Sequence, residues 1–112
     1  MEPSPALAYM NPTNRSIKKL EEEGWIPQVV EQWIPYAKKR RDLFGFLDIL
    51  AIKDADVLGI QATTRSHVSD RVKKIENSKY VDAVRKCAWS IEVWGWYQTK
   101  DGDWKVRIVD CS

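Results

Sequence analysis

The chain has 112 residues, of which 44% are hydrophobic and 30% are charged, and its formal net charge is +2. This balance is typical of one soluble globular domain, and the charge is too small to indicate a polyanionic partner by itself. No apolar run approaches the ~20 residues that span a bilayer, and no signal segment is recognisable. The two cysteines lack the spacing of a disulfide framework or a zinc site. We therefore expect a cytoplasmic protein with reduced thiols and no membrane span.

The first half of the chain predicts a helix and a strand after a flexible arm. Residues 1–11 contain several prolines and predict an extended N-terminal arm. Asn11 as a cap and Pro12 in the first turn predict a helix over residues 12–23. Residues 25–34 are rich in Val, Ile and Trp and predict the first strand.

Two further strands are predicted after a basic loop. The loop comprises residues 38–41, and a strongly apolar run with one internal acid follows at residues 43–52. Another strand is predicted over residues 57–64. Because only a short turn joins these two strands, we expect them to form an antiparallel hairpin.

The second half of the chain predicts helices followed by strands. Residues 66–77 form an amphipathic, basic pattern, and residues 79–88 predict a second helical segment. Strands are predicted at residues 91–98 and 104–109, separated by an Asp-Gly turn. The order α-β-β-β-α-(α)-β-β predicts a single α/β domain over residues 12–112.

One acid lies inside the most apolar predicted strand. Alternation places Asp48 on the same face as Phe46 and Leu50. A buried carboxylate is costly unless a backbone donor, a basic side chain or a metal ion compensates its charge. A functional site and an acid satisfied at the sheet margin are the two alternatives.

The next strand carries polar residues on one face. Gln61 and Thr63 are two positions apart and share a face, while apolar side chains take the other. Strand pairing can bring Asp48 close to Gln61. The result would be a carboxylate, an amide oxygen and a hydroxyl at one sheet end, which suits Mg²⁺. Alternatively, Gln61 and Thr63 merely face solvent.

Other polar residues are weaker candidates. Glu31 lies among apolar residues in the first predicted strand, and two acids on adjoining strands could share a metal ion. Glu22 could approach the same site, although its acidic run is typical of a solvated helix face. His67 starts a helix, where a capping or surface role is favoured over general-base chemistry.

Basic residues flank the acidic candidates on both sides. Phosphate contacts supply most of the non-specific affinity for DNA, so these residues are candidates for binding its backbone. A solvated charged face is the alternative. The candidates are Lys38, Lys39, Arg40, Arg41, Arg65, Arg71, Lys73 and Lys74.

The polar residues of the predicted hairpin also carry a family resemblance. The sequence DLFGFLDILA at positions 42–51, followed by GIQATT at 59–64, resembles the core of PD-(D/E)XK nucleases, in particular the small phage and Holliday-junction-resolvase-like branch. The similarity covers roughly residues 12–110. It implies a restriction-endonuclease-like α-β-β-β-α-β-β core with a mixed central sheet flanked by helices.

The resemblance also implies roles for individual residues. Asp48 stands at the family's metal-binding aspartate, Gln61 at the (D/E) position and Thr63 at the lysine position. Glu31 resembles an accessory acid, and the backbone carbonyl of Ala62 would be a further metal ligand. The implied function is a Mg²⁺- or Mn²⁺-dependent DNA endonuclease, acting also on branched or junction DNA.

Departures from the family pattern keep other functions open. A glutamine brings no charge to a metal ion, and losing the lysine removes a group that could stabilise the developing phosphate charge. Lys53 and Arg65 are candidate replacements, and Asp42 is a further candidate acid. One alternative is a catalytically silent DNA-binding domain of the same fold.

The tryptophans suggest a third function. Trp94, Trp96 and Trp104 could form a contact surface in an assembly protein or a homodimer. A place in the core is the interpretation that we favour for these rings.

Overall fold

The computed structural model describes residues 10–112, so most of the predicted arm at 1–11 lies outside the described residues. Within residues 10–112 the chain is a mixed α/β structure. Its elements in chain order are α1 (Pro12–Glu22), β1 (Ile26–Val29), β2 (Gln32–Ile34), β3 (Lys39–Arg41), β4 (Ile49–Lys53), β5 (Asp56–Thr64), a 3₁₀ turn (Arg65–His67), α2 (Val68–Glu76), α3 (Val81–Lys86), β6 (Ser90–Gln98) and β7 (Trp104–Asp110). None of the helices in this part of the chain could cross a membrane.

Five strands form a mixed sheet in the order β1-β4-β5-β6-β7. β4 and β5 form the predicted antiparallel hairpin, and β1 and β7 pair antiparallel with β4 and β6 at the two edges. β5 and β6 are parallel, because α2 and α3 form the crossover that a parallel pair requires. The observed α1 begins at Pro12, and the predicted cap is confirmed by a bond of 2.8 Å from the Asn14 N–H to the Asn11 side chain.

The prediction of one continuous strand over residues 25–34 is wrong. β1 ends at Val29, and β2 leaves the main sheet to pair with β3 in a separate two-stranded ribbon. β3 occupies most of the predicted basic loop at 38–41. Lys38 adopts a left-handed conformation (φ 49°) at the turn between these strands. The strand propensity of residues 25–34 is the same for one continuous strand and for two shorter strands. Only the choice of pairing partner distinguishes the two arrangements.

The strand predicted over residues 43–52 is also shorter than expected. A tight turn occupies residues 43–47, in which Phe44 (φ 56°) and Gly45 (φ 83°) take left-handed conformations. The expected alternation of Phe46, Asp48 and Leu50 on one face of a strand therefore does not hold. The last two residues of the turn, Phe46 and Leu47, nevertheless enter the core. The turn delivers Asp48 to the first position before β4.

Two hydrophobic clusters cover the two faces of the sheet. α2 and α3 supply one cluster, and α1 supplies the other through Leu20. Trp94 and Trp96 belong to the α1 cluster, so the core interpretation is confirmed for these two rings. Trp104 does not follow it, because 42% of its surface is exposed. A homodimer stays a prediction.

Candidate active site

Asp48 is fixed between two strands at the end of the sheet. Its N–H donates to the Ile60 carbonyl and its carbonyl accepts from the Val30 N–H, each at 2.9 Å. Its side chain is 4% exposed. The Ala62 N–H donates to Asp48 Oδ2 at 2.9 Å, and Gln61 Nε2 donates to the same oxygen. The expected approach of Asp48 and Gln61 is therefore present.

Three carboxylates converge beside this strand pair. Glu31, Asp42 and Asp48 each offer an oxygen, and these oxygens lie within 4.8 Å of one another. Burial, together with the neighbouring charge of Asp42 and its hydrogen bond, raises the pKa of Asp48 to about 8, against the opposing effect of the Ala62 N–H. Without a bound cation, this environment therefore favours the protonated form of Asp48.

Basic side chains neutralise the two other acids. Lys74 Nζ lies 2.7 Å from Asp42 Oδ2, and Arg40 donates to Glu31 Oε1. Both acids are largely buried, with side-chain exposures of 10% for Asp42 and 16% for Glu31. Each acid thus has a cation that a ligand could replace.

The orientation of Gln61 leaves one polar atom without a partner. The residue is 2% exposed, and its Oε1 accepts no hydrogen bond within residues 10–112. An unsatisfied buried acceptor costs about 1–3 kcal/mol. Such atoms at functional sites are often satisfied by an ion or water, and an amide oxygen is a suitable ligand for a hard cation.

All these groups meet at one cavity of about 500 Å³. Its wall carries acids on the strand side and cations from the β2–β3 ribbon and α2. The lining residues are Thr13, Glu31, Arg40, Arg41, Asp42, Gly45, Asp48, Gln61, Ala62, Arg71 and Lys74.

Some candidate site residues lie elsewhere. Thr63 is buried at 5% exposure and does not line this cavity. Lys53 donates to the Glu23 carbonyl at 2.8 Å, and the Arg65 guanidinium lies 4.0 Å from the Tyr97 ring, and neither residue lines the cavity. His67 is exposed, as its favoured surface role predicts.

The cationic candidates divide into two groups. Arg40, Arg41, Arg71 and Lys74 line the cavity, whereas the remaining candidates do not. Those remaining candidates are Lys38, Lys39, Arg65 and Lys73. The specific pairing of Lys74 with Asp42 was missed by sequence reasoning. The spacing of Arg71 and Lys74, three positions apart on one helix face, is a signal that could have singled them out.

Comparisons with protein-family models, curated proteins and solved structures find no match to this chain. The functional assignment therefore rests on the geometry of the cavity. It combines oxygen ligands for a hard cation with side chains that attract phosphate, which is the combination that phosphodiester chemistry requires. A buried carboxylate with a raised pKa in a cleft is typical of a functional site.

Proposed function

We propose that this chain is a metal-dependent DNA endonuclease with a restriction-endonuclease-like core. The observation that carries the proposal is the convergence of three carboxylates beside the unpartnered Gln61 Oε1. The order of α1, the β4–β5 hairpin, the helical crossover and β6 supports the same family of folds. Its substrates would include branched or junction DNA.

The donor set fits Mg²⁺ or Mn²⁺. Glu31, Asp42 and Asp48 would hold the cation through carboxylate oxygens, with Gln61 Oε1 as a neutral ligand. The N–H of Ala62 donates a hydrogen bond to Asp48. The role of the Ala62 carbonyl as a metal ligand rests on the family resemblance alone. When bound, the cation would lower the pKa of water and offset charge on the phosphate.

The protein's own residues prepare the acid cluster. Gln61 Nε2 and the Ala62 N–H both donate to Asp48 Oδ2, which fixes the orientation of the carboxyl group. Such fixed orientation avoids reorganisation during the reaction. The rigid setting comes from the main-chain bonds of Asp48 to both neighbouring strands.

Lys74 would do the work of the lysine that Thr63 does not supply. It reaches the acid cluster from α2, within 2.7 Å of Asp42. A cation at this position can stabilise charge that develops on a phosphate. Arg40, Arg41 and Arg71 line the same cavity and would bind neighbouring phosphates of the DNA backbone.

A cleavage assay tests this proposal. The parent protein and Asp48→Asn are incubated with a panel of labelled DNAs (duplex, flap, junction and single strand) in Mg²⁺, Mn²⁺ or EDTA. The variant keeps the size and shape of the side chain but cannot supply a carboxylate to a cation. We expect cleavage that depends on the metal ion in the parent and is lost in Asp48→Asn.

A matched control is Asp101→Asn, which removes an acid from the exposed turn between β6 and β7. This variant should cleave like the parent. Equal cleavage by Asp48→Asn and the parent would show that the assignment of the active site is wrong.

A second candidate is a catalytically silent DNA-binding domain. Lys74 and Arg40 already neutralise two of the three acids, and Thr63 supplies no charge at the lysine position. This function predicts salt-sensitive DNA binding that needs no divalent cation. Binding without cleavage on every DNA of the panel would favour it.

A further inference from the structure

Two further hollows follow the cavity at the acid cluster, each sharing lining residues with the one before it. The first has a volume of about 580 Å³ and shares Arg41, Asp42 and Gly45 with that cavity. Phe44 and Tyr80 then connect it to a small apolar hollow of about 140 Å³. These shared residues place a group of aromatic rings in the neighbourhood of the acids.

These rings form a partly exposed aromatic shelf, which we define as Phe44, Tyr80 and Trp89. The Phe44 and Tyr80 centroids lie 6.1 Å apart at an interplanar angle of 59°, and Trp89 lies 6.2 Å from Phe44. Phe44 is 40% exposed and Tyr80 is 45% exposed. Contiguous exposed apolar surface beside a polar rim is typical of a binding site.

The backbone of Phe44 is unusual for an aromatic residue. Its φ of 56° lies in the left-handed region, which bulky residues rarely occupy. The next residue, Gly45, lines the cavity of the acid cluster. Strain of this kind persists where the surrounding structure imposes it and is concentrated at ligand-binding sites. The turn thus holds the Phe44 ring at the surface, one residue from that cavity.

Positive charge accompanies the rings. Arg41 lines both the acid cavity and the middle hollow. Lys79 lines the middle hollow, and its Nζ lies 5.0 Å from the Tyr80 ring. Cations that follow a phosphate backbone, interleaved with aromatic faces that stack on bases, are the pattern of single-stranded nucleic-acid sites.

We propose that the aromatic shelf stacks an unpaired base of a DNA strand whose neighbouring phosphate lies at the acid cluster. The preferred substrate would then be DNA with single-stranded nucleotides beside the cleavage point. Bases inside an intact duplex already stack on one another, so they would have to leave the helix to use the shelf. The position of cleavage rests on the proposed function, whereas stacking on the shelf requires no metal ion.

Fluorescence anisotropy in EDTA tests the shelf separately from catalysis. The full chain is titrated against a labelled blunt duplex and against the same duplex with a single-stranded overhang. We expect the parent to bind the overhang about tenfold more tightly, which is the usual contribution of one stacked base. The double variant Phe44→Ala/Tyr80→Ala should lose this preference and keep its affinity for the blunt duplex.

Three further variants make the result specific. Tyr80→Phe keeps the ring and should keep the preference. Phe44→Leu preserves apolar packing against Trp89 without a flat face, and it should weaken overhang binding with an unchanged thermal midpoint. Trp104→Ala removes a similarly exposed ring whose face Arg15 covers at 3.4 Å, and it should have no effect.

The outcomes separate the two proposals. Absence of an overhang preference in the parent, or its survival in the double variant, would overturn the shelf even if cleavage depends on Asp48. Loss of the preference in the double variant, on a protein that cleaves no DNA, would support the shelf and reject the nuclease.

Discussion

At the scale of single residues, the protonation of Asp48 couples the site to pH. Burial and the neighbouring acids raise its pKa from 3.8 to about 8 in the folded protein. The protonated form is thus favoured by folding. Its stabilising contribution is complete below the unfolded pKa of about 3.8 and is lost as the pH rises through about 8.

The first prediction concerns stability without metal ions. In EDTA, the free energy of unfolding of the parent should fall as the pH rises from about 4 to about 8, because the folded protein keeps a proton on Asp48 that the unfolded chain has already released. Asp48→Asn cannot ionise and should show a flatter profile. Urea unfolding of both proteins across this range measures the difference, and identical profiles would contradict the raised pKa.

The second prediction concerns the neutral ligand. Gln61→Glu would place a fourth acid at the cluster, so the variant should be about 1–3 kcal/mol less stable than the parent in EDTA. With Mg²⁺ or Mn²⁺ present, the added charge should strengthen cation binding and produce a larger rise in thermal midpoint than in the parent.

Differential scanning fluorimetry with and without the cation measures both effects. The matched control is Gln28→Glu, which adds the same charge at an exposed position in β1. Gln28→Glu should be close to the parent under both conditions. An equal response of Gln61→Glu and the parent to the cation would remove Gln61 from the ligand set.

At the scale of elements, α2 contributes the cations that the sheet lacks. It begins after the 3₁₀ turn that follows β5, so Arg71 and Lys74 reach the cavity from the element next in sequence to Gln61. The same helix buries Val68 and Ile75 in the core. One face of α2 therefore packs in the hydrophobic core, and the other supplies cations to the cavity.

The third prediction tests this contribution of α2. Lys74→Ala should reduce the cleavage rate by about 10²–10³-fold, as expected for loss of a group that stabilises transition-state charge. Its DNA affinity should fall much less, because other cations of the cavity remain. Single-turnover kinetics separates the two effects, and Lys73→Ala, which alters an exposed neighbour, is the control. Equal rates for Lys74→Ala and the parent would assign Lys74 to a structural ion pair.

At the scale of the whole molecule, the proposed function links cation binding to DNA binding. Lys74 and Arg40 are held by Asp42 and Glu31 when no metal ion is bound. A divalent cation at the acids would release both side chains toward phosphate. The two ligands should therefore strengthen each other's binding, as linkage requires.

The fourth prediction follows from this exchange. The affinity for duplex DNA should rise when Ca²⁺, another oxygen-ligated cation, replaces EDTA at matched ionic strength. Added cations ordinarily weaken DNA binding, so a rise would be the opposite of the usual salt effect. Anisotropy measures the affinity, and a gel verifies that the DNA remains intact. The double variant Lys74→Ala/Arg40→Ala should show a smaller rise. An affinity that falls with Ca²⁺ in the parent would favour the silent DNA-binding domain.

The sequence by itself determined the local part of the site. Alternation along 57–64 and the short connection to Asp48 were sufficient to bring Asp48 and Gln61 together, because a hairpin fixes the register of nearby residues. The helix start at Pro12 and the mixed order of helices and strands also followed from local signals.

Only the tertiary structure decided the remainder. The pairing of Lys74 with Asp42 spans 32 positions, and the separation of β1 from β2 depends on which strand each one meets. Apolar content could not distinguish the tight turn at 43–47 from a strand, since both bring apolar side chains into the core. Periodicity reports which face of an element is buried, but it contains no information about which distant element covers that face.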